Sequence, residues 1–150
     1  MSLAIGDKAP LFTCQTQTGE EISLTSLKGK KVILYFYPKD STPGCTAQAC
    51  NLRDNFETIT NSNYVVLGVS SCSAKRHNNF IEKNSLPFDL LMDETQELQN
   101  SYGVWQLKKT FGKEYMGTVR TTFIIDEQGL IEQIINKVKT KEHWQQIADQ

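Results

Sequence analysis

Residues 32–59 constrain this chain more than any other stretch. Val32-Ile33-Leu34-Tyr35-Phe36-Tyr37 is an unbroken apolar and aromatic run of strand length. It predicts a strand covered on both faces. Pro38 ends it, because proline cannot donate to a ladder. A helix start follows. Thr42 suits the N-cap and Pro43 the first helical position, where a missing N–H costs nothing; Gly44 is then second and Cys45 third. On this reading the Thr42 hydroxyl accepts from the Cys45 backbone N–H. Ala49, Leu52, Phe56 and Ile59 follow Cys45 at spacings of four, three, four and three, so all five share one helical stripe facing the sheet.

That placement has chemical consequences. The carboxyl end of a central strand is where open α/β sheets bind ligands. A first-turn residue sits among unpaired backbone N–H groups, at the helix end that favours negative charge. The thiolate is the nucleophilic form of cysteine, and such a site stabilises it. The competing reading of Cys45 is a buried structural cysteine, the commonest state of a free one. The Thr42-Pro43-Gly44 lead favours chemistry over packing.

Length and composition exclude several classes. A chain of 150 residues is expected to form one domain, residues 1–150, with an adequate core. A net charge of −1 without acidic or basic blocks argues against nucleic acid and anionic membrane as partners. No apolar run approaches membrane-spanning length, and no charged-then-apolar leader opens the chain, so a cytoplasmic protein is expected. Four cysteines do not make a disulfide framework at this length, and no Cys-x-x-Cys pair appears. Phosphate-binding glycine motifs are missing as well. A phosphatase-type cysteine would need an arginine six residues on, but Asn51 and Phe56 stand six after Cys45 and Cys50.

Around the central unit, residues 9–15 read as extended, Thr18-Gly19-Glu20 as a turn, and residues 21–24 as a returning strand. Residues 26–29 suggest one helical turn. Residues 64–70 form a second buried strand, Ser73 caps a helix over 74–84, and residues 88–92 form a third strand. Asp93 with Gln96 has the capping-box pattern, and Gly103 ends that helix. Periodicity is lost over residues 104–119, which read as a long irregular loop. Residues 121–126 and 130–135 flank Glu127-Gln128-Gly129 as a hairpin, and Thr140 opens a last amphipathic helix containing Trp144 and Ile147.

Strand–helix alternation followed by a late hairpin predicts an α/β fold with a mixed central sheet and helices on both faces. If the strand after Arg120 runs antiparallel to residues 32–37, Arg120 lies at the same edge as Cys45. Its permanent charge would hold a thiolate there and orient a substrate oxygen. The alternative is an edge arginine making surface pairs. Gln48 is a neighbour of the same pocket or a solvated helix residue. Cys14 alternates with Phe12 and reads as a small inward hydrophobe. Cys72 and His77 suggest a zinc pair only weakly, since their spacing is wider than the usual ligand pattern; His77 reads as a surface helix residue. Trp105 and Phe111 read as core packing rather than pocket lining.

The segment Tyr37-Pro38-Lys39-Asp40-Ser41-Thr42-Pro43-Gly44-Cys45-Thr46-Ala47-Gln48-Ala49-Cys50 resembles the active-site segment of the peroxiredoxins, and within them the bacterioferritin comigratory protein (peroxiredoxin Q) branch. The family pattern Pro-x-x-x-Thr-x-x-Cys falls on Pro38, Thr42 and Cys45, and the branch's second cysteine on Cys50. The likeness runs from Gly6-Asp7-Lys8-Ala9-Pro10 to the last helix. It implies a thioredoxin-like fold and a thiol-dependent peroxidase. In it Cys45 is the peroxidatic nucleophile and Cys50 the resolving thiol. Thr42 and Arg120 are further catalytic residues, and Pro38, Pro43 and Gly44 border the substrate. It further implies reduction of hydrogen peroxide and organic hydroperoxides through a sulfenic acid and an intramolecular disulfide. A thioredoxin-like reductant would restore the thiols, with no cofactor or metal, in a monomer or weak dimer. Two readings from other classes stand beside it. One is a peroxide-responsive sensor or binding module without rapid turnover; the other is a structural thioredoxin-like zinc or interaction protein.

Overall fold

The computed structural model describes residues 3–149 and, of Thr110, the backbone alone. A short antiparallel pair, β1 (Thr13–Gln15) and β2 (Glu21–Ser23), leads into a 3-10 turn at Leu24–Leu27. Then comes β3 (Lys31–Phe36), followed by α1 (Pro43–Asp54), α2 (Phe56–Asn61), β4 (Tyr64–Ser70), α3 (Ala74–Asn84) and β5 (Asp89–Met92). The chain continues through α4 (Glu97–Ser101), β6 (Trp105–Thr110), β7 (Lys113–Thr118), β8 (Thr121–Ile125), β9 (Ile131–Ile135) and α5 (His143–Ala148).

The central sheet has the order β5-β4-β3-β8-β9. β3, β4 and β5 run parallel, while β8 and β9 run antiparallel to their neighbours, so the sheet is mixed as expected. β3 is its middle strand, and its alternation divides the core. Ile33, Tyr35 and Tyr37 face a cluster with Cys45, Ala49 and Leu52 of α1, Ile59 of α2, Phe80 of α3, and Trp144 and Ile147 of α5. Val32, Leu34 and Phe36 face the other cluster, with Leu98 of α4, Tyr102 and Ala9. A strand apolar at every position needs both layers, because successive side chains point to opposite faces. The register of β3 with β8 ends at Phe36 opposite Thr121. Arg120 therefore enters the sheet beside the point where β3 leaves it. No helix among the described residues is long and apolar enough to cross a membrane.

Four local expectations are corrected. The helix over Cys45 does not continue to residue 59. It breaks at Asn55 (φ −107°, ψ 11°), whose amide donates to the Asn51 carbonyl at 2.8 Å. A short polar side chain competing for helix carbonyls favours such a break. Asp93 caps α4 from further back than a capping box: its carboxylate accepts from the Leu98 and Gln99 amides at 3.0 and 2.8 Å, while Gln96 is left-handed. Residues 104–119 are not an irregular loop but hold the paired ribbon β6–β7. Its turn is Phe111-Gly112, with positive φ at both residues. Two-residue hairpin turns of this hand normally announce themselves with Asn-Gly or Asp-Gly, and Phe111 hid the signal. Phe111 is fully exposed and so does not pack in the core. Trp105 is half-buried.

Candidate active site

Pro43 begins α1 and Thr42 precedes it in extended backbone (ψ 154°), so Cys45 occupies the first turn as read from the sequence. The Cys45 side chain is 1% exposed. The Arg120 Nη2 donates to its Sγ at 3.3 Å. The guanidinium reaches over the helix start because Gly44 has no side chain: a Cβ there would stand 3.3 Å from Nη2. Arg120 Nη1 donates to Gln48 Oε1 at 2.5 Å, and Gln48 is fully buried rather than solvated. Gln48 Nε2 lies 3.3 Å from His143 Nδ1, and His143 Nε2 lies 2.8 Å from Thr122 Oγ1. Burial, with the Arg120 charge second, pushes the His143 pKa down to about 3. Cys45, Gly44, Gln48 and Arg120 are thus brought together from α1 and the start of β8.

Thr42 differs from expectation in detail. Its carbonyl accepts from the Thr46 amide at 2.9 Å, as an N-cap carbonyl does, but its hydroxyl makes no cap bond and donates to the Lys39 carbonyl at 2.8 Å. The loop before α1 turns back tightly at Ser41 (φ 65°), which brings that carbonyl within reach of the hydroxyl. Pro43 and Pro38 are exposed, and Pro38 borders a surface cleft with Lys39, Cys72, Arg76 and Glu94. Cys50 is half-buried on another side of α1, its thiol donating to Asn84 Oδ1 at 3.7 Å. All four cysteines are free.

Sequence reasoning missed a second buried cluster beneath the same loop. Asp40 accepts from the Tyr37 hydroxyl at 2.5 Å and from His77 Nδ1 at 2.6 Å, while His77 Nε2 faces the Leu91 carbonyl at 3.0 Å. The Asp40 amide donates to Cys72 Sγ at 3.4 Å. His77 is therefore fully buried, not a surface residue. Its spacing of three from Phe80 on α3 was the available signal. Burial, with Tyr35 and Asp40 adding to it, holds the Tyr37 phenol protonated. Cys14 stays a thiol: burial, then the charge of Asp93, pushes its pKa up to about 11.

A buried thiol under a guanidinium at a helix start, on a sheet of this strand order, belongs to the cysteine-dependent oxidoreductases of thioredoxin-like fold. The chain belongs to the AhpC/TSA family, whose model matches residues 5–134. It is 50% identical over 148 residues to a putative peroxiredoxin bcp of Coxiella burnetii, covering 99% of this chain and 98% of that one. It is 48% identical over 143 residues to peroxiredoxin Bcp of Bacillus subtilis, with 95% and 91% covered. Among solved structures it resembles peroxiredoxin Q of Xanthomonas campestris, solved as a cysteine-to-serine variant. There the TM-score is 0.87 at 31% identity, over 92% of this chain and 88% of that one. With relatives of this kind the protein is an enzyme, a thiol peroxidase.

Proposed function

We propose that the chain reduces hydrogen peroxide and organic hydroperoxides through an intramolecular disulfide, with Cys45 as nucleophile and Cys50 as resolving thiol. The Cys45 thiolate attacks one oxygen of the peroxide. The S–O bond forms as the O–O bond breaks, and the departing oxygen leaves as hydroxide or alkoxide and takes up a proton. Donors aimed at that developing charge lower the barrier. Arg120 and the Cys45 backbone N–H are two of them. Thr42 is the third, its hydroxyl turning from the Lys39 carbonyl to the peroxide. Gly44 leaves room for the guanidinium, and Pro38 and Pro43 wall the loop. The products are water or an alcohol and a Cys45 sulfenic acid. The Cys50 thiol displaces water from it and closes a disulfide. A thioredoxin-type dithiol then reduces that bridge by exchange. The thiols carry both electrons, so the cycle needs no cofactor or metal. One domain over residues 1–150 houses it, a cytoplasmic monomer or weak dimer without nucleic-acid or membrane partners.

The observation that carries this reading is the Arg120 Nη2 contact with a first-turn Cys45 Sγ at 3.3 Å. The test is the intact mass after one equivalent of peroxide. Wild type is expected to lose two hydrogens, Cys50→Ser to gain one oxygen on Cys45, and Cys45→Ser to consume no peroxide. Wild-type turnover by Cys45→Ser would overturn the reading.

A further inference from the structure

His143 has no part in the mechanism above, yet it is fully buried and one residue removed from the guanidinium. Four groups form a chain of hydrogen bonds drawn from three elements: Arg120 beside β8, Gln48 on α1, His143 on α5 and Thr122 on β8. Each link has one possible direction. A guanidinium only donates, so the oxygen of the Gln48 amide must face Arg120. The amide nitrogen then faces His143 and can only donate, so Nδ1 must be the acceptor. The proton of the neutral ring is then on Nε2, which donates to Thr122 Oγ1 at 2.8 Å. Any other arrangement sets donor against donor in a place closed to water.

We infer that His143 is a positioning residue of the peroxidase site: its Nδ1 lone pair fixes the Gln48 amide, and the Gln48 oxygen in turn holds Arg120 against Cys45. The surroundings suit the task. Burial, with the Arg120 charge second, keeps the ring neutral, and the Tyr35 ring stands edge-on to it at 5.7 Å. α5 is itself tied to α1, since Asn51 Oδ1 accepts from the Trp144 amide at 2.8 Å and Asn51 Nδ2 donates to the Lys141 carbonyl at 3.0 Å. The last helix of the chain is thereby part of the active site.

The inference rests on Cys45 and Arg120 acting as proposed, and its test separates the two. The rate of Cys45 oxidation by hydrogen peroxide is measured by stopped flow in wild type, Arg120→Ala, His143→Leu and the double variant. In parallel, the pH profile of Cys45 alkylation by iodoacetamide is recorded. Arg120→Ala is expected to lose roughly 10²-fold in rate, the scale for one charge-stabilising donor. His143→Leu is expected to lose roughly tenfold, with its alkylation profile moved toward that of Arg120→Ala. Because His143 acts through Arg120, the double variant is expected to be no slower than Arg120→Ala. His143→Asn keeps an acceptor near Nδ1 and is expected to recover most of the loss. A wild-type rate in His143→Leu, an unmoved profile, losses that multiply in the double variant, or no recovery by His143→Asn would each overturn the role of His143 alone. A wild-type rate in Arg120→Ala would overturn the site on which it rests.

Discussion

Closing a bridge between Cys45 and Cys50 requires α1 to come apart, and the helix dimensions say by how much. Both residues lie inside α1, which is helical from Pro43 to Asp54. Five residues of ideal helix are a rise of about 7.5 Å and a rotation of about 140° at a radius of about 2.3 Å, which separates the Cα atoms by about 8.7 Å. A disulfide spans at most roughly 7 Å between Cα atoms. The two thiols also face different partners, Arg120 and Asn84. Unwinding residues 46–50 releases the Thr46-to-Thr42 bond at 2.9 Å and the helical bonds after it. At about 0.5–1.5 kcal/mol net for each bond, partly offset by the backbone entropy regained, local opening costs a few kcal/mol. In the reduced protein the amides of residues 46–50 are therefore expected to show hydrogen-exchange protection on the order of 10² to 10³. Peroxide-oxidised protein is expected to lose it, and Cys50→Ser, oxidised once at Cys45, to keep it. Further peroxide is then expected to carry that unresolved sulfenic acid to the sulfinic state. Exchange mass spectrometry with peptide mapping decides the matter. A Cys45–Cys72 or interchain bridge, with α1 still protected, would refute the reasoning and remove Cys50 from the resolving role.

The Tyr35 hydroxyl is buried with no hydrogen-bond partner among the described residues. Tyr35→Phe leaves the ring stack with Tyr37 in place and is expected to raise stability by about 1–2 kcal/mol, a Tm gain of a few degrees, in thermal unfolding; a fall in Tm would show that the hydroxyl is bonded to buried water. The second prediction concerns acid. His143 titrates near 3 folded, held down by burial first and Arg120 second, against about 6.5 unfolded. Its contribution is thus complete above pH 6.5 and is lost as pH falls toward 3, because the unfolded chain takes up a proton that the folded one refuses. At pH 5 the loss from this site is about 2 kcal/mol. Urea unfolding of wild type at pH 7.5 and pH 5 should show it, and His143→Asn should not.

The thiol and its helix were legible because they are local: a strand, a proline, a cap and a stripe all lie within one stretch of sequence. Arg120 was legible once the last hairpin was assumed antiparallel to the central strand, which the register confirms. His143 and His77 were not. Nothing near a buried histidine in sequence announces a carboxylate or amide delivered from another element, and Asp40 lies 37 residues from His77. The β6–β7 ribbon escaped for a different reason. Much of it is exposed, so no core imposed an alternation for periodicity to detect. The Thr42 hydroxyl shows the limit of capping rules: they place the residue correctly but not its hydrogen, which a nearer carbonyl claimed.

The guanidinium that touches Cys45 is 75 residues away along the chain, just before β8, a strand laid down late beside β3. A ribosome releases Cys45 long before it makes Arg120, Thr122 or His143. While it waits, the newborn thiol has a helix start but no guanidinium beside it. If Arg120 acts on Cys45 as proposed, the donor set around the thiol is complete only when the C-terminal strands dock. On the proposed mechanism, completion of the sheet is thus also the step that arms the thiol.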